Sequence, residues 1–127
     1  MTISGDSIFL CKTSEIPEGR NKKFVISGNE IVLVKLEGKI HAIEPICSHL
    51  WSDLSHGKFN ARARTVQCPL HGAIFDISTG AALMGPFGCD GDMLPPLRLY
   101  KFRIEQDSVL IDRRQEWGDI SLTESKT

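Results

Sequence analysis

Four residues of this 127-residue chain have the types and spacing to grip a metal centre. Cys47 and His49 stand in one short segment, Cys68 and His71 in another, with eighteen residues between His49 and Cys68. Thiolate sulfur and neutral imidazole nitrogen are ligands for iron–sulfur clusters and for zinc. The two-plus-two set suits a cluster in which two histidines replace two cysteines on one iron. Two ferric ions, two sulfides, two thiolates and two neutral imidazoles sum to zero charge. All-cysteine ligation leaves the same core doubly negative, so the mixed set accepts an electron more readily.

Such ligands need a rigid base, and the flanking sequence supplies short strands rather than helices. Ser7–Lys12, Lys23–Ser27, Ile31–Leu36 and Lys39–Glu44 are rich in Val, Ile, Leu and Phe. Arg64–Gln67, Ala73–Ile77, Leu97–Ile104 and Val109–Asp112 repeat the style in the second half. Pro17-Glu18-Gly19, Ser27-Gly28-Asn29, Glu37-Gly38-Lys39 and Gln106-Asp107-Ser108 supply the turns. Strands at this spacing predict an all-β sandwich or small barrel. The ligand pairs fall between strands, Ile46–Trp51 after Lys39–Glu44 and Pro69–Gly72 after Arg64–Gln67. Two hairpin-tip loops side by side present four ligands from one support.

Bulk properties narrow the function. The chain has the length of one domain, with 41% hydrophobic and 24% charged residues, ordinary for a globular protein. A net charge of -1 gives no electrostatic reason to bind nucleic acid or an anionic membrane. Met1–Asp6 lacks the basic region and apolar run of a secretory signal, and no stretch has the apolar length of a membrane span. A cytoplasmic location is expected. Four cysteines in a reducing compartment point to a metal site more than to disulfides. Cys11, in a strand-like run, reads as a small buried apolar residue, and Cys89 lies in a Gly-rich loop. His41 and His56 read as structural or solvated, and Asp76 as a turn residue rather than a general base. Asp90 and Asp92 fall far short of a calcium cage. No dinucleotide fingerprint or phosphate loop is present.

Cys47-Ser48-His49 and Cys68-Pro69-Leu70-His71-Gly72 resemble the Rieske family. The resemblance continues through Ala73-Ile74-Phe75-Asp76, Thr79-Gly80 and Gly85-Pro86, over about residues 1–113. It implies an antiparallel β-sandwich with a small cluster-binding subdomain of two hairpin loops, at about 45–86, and a polar tail at 114–127. It implies one 2Fe-2S cluster per chain, with Cys47 and Cys68 on the inner iron and His49 and His71 on the outer one. Pro86 matches the family's proline loop, and Leu50 and Trp51 are candidates for an apolar shield. Phe87–Pro96 looks longer than usual for soluble members.

High-potential members pair an extra cysteine from each loop and aim a serine and a tyrosine hydroxyl at sulfur. The matching positions here are Ser52 and Leu70, and Ala73 and Phe75. Fewer donors to sulfur imply a potential near the low end of the Rieske range, roughly -150 mV. The function implied is that of a dioxygenase-system ferredoxin, an electron carrier and not an enzyme. Its transient partners would be an NAD(P)H-dependent flavoprotein reductase and a Rieske non-haem iron oxygenase, and it would be a monomer. The oxygenase's own iron needs a further two-His-one-carboxylate triad, and the two histidines that remain after the cluster takes its pair, His41 and His56, are ill placed for a second site in so small a domain. Two alternatives stand beside this reading: the small Rieske-like subunit of an assimilatory nitrite reductase, and a structural zinc module.

Overall fold

The computed structural model describes residues 3–4, 7–45, 54–69, 72–85, 96–115 and 120. Eleven strands run through these residues: β1 (Ile3–Ser4), β2 (Ser7–Lys12), β3 (Asn21–Ile26), β4 (Asn29–Leu36), β5 (Lys39–Ile43), β6 (Lys58–Asn60), β7 (Thr65–Gln67), β8 (Ile74–Asp76), β9 (Ala82–Met84), β10 (Phe102–Glu105) and β11 (Ser108–Asp112). Three antiparallel sheets result, a terminal sheet β1-β2-β11-β10, a middle sheet β3-β4-β5 and a cluster-side sheet β6-β7-β8-β9. The all-β antiparallel architecture agrees with the sequence reading.

Three tight hairpins set the registers. Ser27 and Gly28, Glu37 and Gly38, and Gln106 and Asp107 all have positive φ, the signature of the type I′ turn whose twist matches paired strands. Glu37 adopts that geometry without glycine's freedom because the Glu18 carboxylate holds the turn. Its oxygens accept from Glu37 N at 2.5 Å and Gly38 N at 2.9 Å. Asp107 plays the same part elsewhere, accepting from the hydroxyls of Thr13 and Ser14. Those two bonds hold its carboxyl below the usual carboxylate range.

β4 organises the core. Its run Ile31-Val32-Leu33-Val34 is buried on both faces, as expected of a central strand with period-two side chains. Val32, Val34 and Leu36 pack with Leu54, Val66, Ala73 and Phe75 on the cluster side. Ile31 and Leu33 pack with Ile8, Val109 and Ile111 on the terminal side. The sandwich is therefore a three-sheet stack with β4 shared by two interiors.

Several expectations change. Leu97–Ile104 is not one strand: only Phe102–Glu105 pairs regularly. The stretch before it crosses between sheets: Leu97 N donates to Gly80 O, Tyr100 N donates to Ala42 O, and Arg98 O accepts from Glu44 N. β1, β6 and β9 are additional, two or three residues long and too short to show alternation in sequence. The segment after 113 is more than a polar tail at its two described buried positions. Ile120 is fully buried in the terminal core. Gln115 pairs its amide with the Lys101 backbone, accepting from N at 2.6 Å and donating to O at 3.1 Å. Cys11 is a buried thiol, and burial pushes its pKa up, as expected of an inert packing residue.

Candidate metal centre

Of the four predicted ligands, Cys68 lies within the described residues, while Cys47, His49 and His71 lie outside them. So do Leu50, Trp51, Ser52, Leu70, Pro86 and Cys89. What the structure defines is the frame around them. Cys68 immediately follows β7, 2% exposed, with a thiol rather than a disulfide, inside the cluster-side core. Cys68 N donates to Ala73 O at 2.7 Å and Gly72 N donates to Cys68 O at 3.2 Å, which closes the second loop at its base. Gly72 has φ +80°, a left-handed turn that a side chain would strain. Gln67 reaches over from β7 and donates its amide to the Gly72 carbonyl at 3.3 Å.

The first loop is closed in the same way, because Leu54 N donates to Pro45 O and brings the ends of segment 46–53 together. A short 3-10 turn, Leu54–His56, follows, and Gly57 N donates to Leu54 O at 2.9 Å. Gly57 makes a close approach to Gln67 possible. A Cβ there would stand 2.4 Å from Gln67 O and 3.1 Å from Leu54 O. Both candidate loops therefore spring from one small support, joined at Gly57 and Gln67.

The floor beneath them is apolar. Ala73 and Phe75 are fully buried and carry no hydroxyl. Asp76 is the turn residue expected, its carboxylate accepting from Ser78 N at 2.7 Å and Thr79 N at 3.2 Å. His41 faces the cluster side of β5 in a 270 Å3 recess with Ile77, Ser78, Leu99, Tyr100 and Phe102. Its Nε2 is buried without a hydrogen-bond partner. Burial lowers its pKa and the nearby Arg64 and Lys39 cations lower it further, against Asp76, so the imidazole is neutral.

His56, which reads as structural or solvated in the sequence, lines a 350 Å3 depression with Lys58, Gln67, Cys68, Pro69 and Gly72. No sequence pattern marks this proximity, which comes from the β6–β7 register.

A buried cysteine at the mouth of a tightly closed loop, in the sequence frame Cys-Pro-Leu-His-Gly, fits a thiolate ligand to a cluster with a protected inner end. Residues 6–90 match the Rieske [2Fe-2S] domain, and the chain belongs to that family. It holds a 2Fe-2S cluster accordingly.

Among its relatives is the ferredoxin component of the naphthalene 1,2-dioxygenase system of Pseudomonas aeruginosa. The two are 35% identical over 98 residues, 77% of this chain and 86% of that protein. The cytochrome b6-f complex iron–sulfur subunit of Chlorobaculum thiosulfatiphilum is 32% identical over 113 residues, 85% of this chain but 54% of the subunit. In three dimensions the chain resembles the ferredoxin of carbazole 1,9a-dioxygenase from Nocardioides aromaticivorans IC177. The TM-score is 0.72 with 26% identity, covering 84% of this chain and 97% of that one.

Proposed function

We propose that this protein is a one-electron carrier of the Rieske ferredoxin kind. It takes electrons from an NAD(P)H-dependent flavoprotein reductase and delivers them to a Rieske non-haem iron oxygenase, as a cytoplasmic monomer that meets each partner transiently. It is not itself the catalyst of oxygenation. The observation that carries this reading is the likeness to dioxygenase ferredoxin components along 86% of one such component's length. The apolar, hydroxyl-free floor at Ala73 and Phe75 fits the low potential expected of this carrier.

The residues divide the work between a buried and an outward end. Cys68 and Cys47 would hold the inner iron, and His49 and His71 would hold the outer iron, the end offered to a partner. The cluster supplies a one-electron change of oxidation state, and the chain supplies everything else. Cys68, buried with Val66, Ala73 and Phe75, keeps water from the sulfur end. The hydrogen bonds of Gly72 and Gln67 fix the second loop, so little rearrangement accompanies a change of charge.

Purification without air tests the metal assignment: two iron and two acid-labile sulfide per chain are expected, and one zinc without sulfide overturns it. Turnover reconstituted with purified reductase–oxygenase pairs tests the role. Substrate oxidation should depend on this protein and saturate with its concentration. Tight copurification with a large sirohaem-containing chain would instead make it a subunit of a nitrite reductase.

A further inference from the structure

Strand register draws a line of residues across the outward face of the cluster-side sheet. Lys58 pairs with Gln67, Gln67 with Ile74, and Ile74 with Met84. Directly opposed residues in antiparallel strands point to the same side. The neighbouring line, Phe59, Val66, Phe75 and Ala82, is the one packed into the core. The Lys58–Met84 line therefore faces away from it.

This line lies at the cluster end of the sheet. Gln67 precedes Cys68, and Ile74 follows Ala73. One end is cationic: exposed Lys58, with exposed His56 beside it, rims the 350 Å3 depression that reaches Cys68, and no carboxylate lines it among the described residues. The other end is apolar: Met84 is 39% exposed, and Leu83 is 55% exposed where the β8–β9 register shifts. Lys58 is the cation of this line, since Arg62 and Arg64 lie in the β6–β7 turn at the other end of the strands. Residues 54–85 hold Lys58, Arg62 and Arg64 against Asp76 alone, a net of +2 in a chain of net -1. The Asp76 carboxylate is engaged in its own turn.

We infer that the Lys58–Gln67–Ile74–Met84 line is a docking face for a redox-partner protein that offers a carboxylate to Lys58 beside an apolar patch for Met84. The inference rests on the electron-carrier reading above. A cation at the edge of an apolar strip steers the encounter, and the strip excludes water once contact is made. Lys58 then selects the partner by sign of charge, and Met84, flexible and polarisable, adapts to its surface.

Two inorganic oxidants test the cationic end without any need for the natural partner. The anionic cobalt(III)–EDTA complex and the cationic cobalt(III) tris-phenanthroline complex each take one electron from the reduced protein. Each is reduced to cobalt(II), with no proton transferred. Lys58→Glu reverses one charge, and at low ionic strength it should slow the singly negative oxidant severalfold and speed the triply positive one by a larger factor. In about 1 M salt both effects should collapse. A changed midpoint potential would move both rates in the same direction, so opposite responses identify local charge. Lys58→Gln should give half the effect on a logarithmic scale, and Lys12→Glu in the terminal sheet should leave both rates near wild type. In turnover with a reductase–oxygenase pair that accepts the wild-type protein, Lys58→Glu and Met84→Ala should raise the KM for this protein severalfold and spare kcat. Equal responses to Lys58→Glu and Lys12→Glu, or no response to Lys58→Glu, overturn the docking face. An unchanged KM in both variants overturns it as well. A wild-type protein without iron and sulfide refutes the carrier reading itself, and the docking face with it.

Discussion

Replacing Gly57 by alanine examines the joint on which both candidate loops depend. The added methyl carbon would sit 2.4 Å from the Gln67 carbonyl oxygen and 3.1 Å from that of Leu54. Ordinary contact lies near 3.4 Å, so one backbone must retreat by about 1 Å, and neither neighbour is the loose end of a side chain. Overpacking of this kind costs about 1–3 kcal/mol. For a domain of this size each 1 kcal/mol moves Tm by about 3–5 °C, so a loss of about 5–10 °C is expected at the middle of that range. Gly28→Ala is the companion measurement. Gly28 has φ +85° but nothing within 4 Å of the added carbon, so its cost is the left-handed backbone alone.

Melting followed by circular dichroism at a fixed scan rate, under anaerobic conditions, gives both values. Gly57→Ala should also shed iron faster than Gly28→Ala on mild chelation, because only Gly57 touches the strand leading into Cys68. A Tm within 1 °C of wild type for Gly57→Ala would refute the close approach. Equal iron loss in the two variants would refute its link to the cluster loops.

Phe75→Tyr and Ala73→Ser restore the hydroxyls that high-potential relatives carry. One added hydrogen bond worth ~1 kcal/mol more to the reduced state corresponds to roughly 40 mV, read as a higher midpoint in a redox titration. A lower or unchanged midpoint in both would show that neither hydroxyl reaches sulfur. His71→Cys should lower the midpoint or abolish the cluster, whereas an unaltered EPR signal and midpoint would remove His71 from the ligand set. His41 is held neutral by burial and by Arg64 and Lys39, with its pKa below the ordinary value of 6.5. As pH falls below about 6.5 the unfolded chain takes up a proton that the folded one resists, so His41 makes stability decline on acidification and leaves it flat above. Urea midpoints at pH 7.5 and 5.0 should differ less in His41→Leu than in wild type, and an identical difference in both would dismiss the assignment.

The strand plan was legible because its turns announce themselves. Ser27-Gly28, Glu37-Gly38 and Gln106-Asp107 sit between apolar runs, and each became a hairpin with positive φ at both central residues. Asp76 was legible as a turn residue because that signal is local. What stayed hidden depends on chain segments meeting. Gly57 looks like any loop glycine until Gln67 is placed against it. Lys58 and Met84 stand 26 positions apart and share a line only through three successive registers. Ile120 sits in a polar stretch, and its burial follows from the Arg113 carbonyl accepting from its backbone nitrogen at 2.7 Å.

Val34 and Leu33 are neighbours in sequence but belong to opposite interiors, and this limits how the protein can be taken apart. A graft of residues 45–86 into a foreign host would leave Val32, Val34 and Leu36 behind, exposing Val66, Phe75 and Cys68 on their underside. Redesign of this carrier for a new oxygenase is therefore better done by exchanging outward residues of the small sheet than by transplanting it.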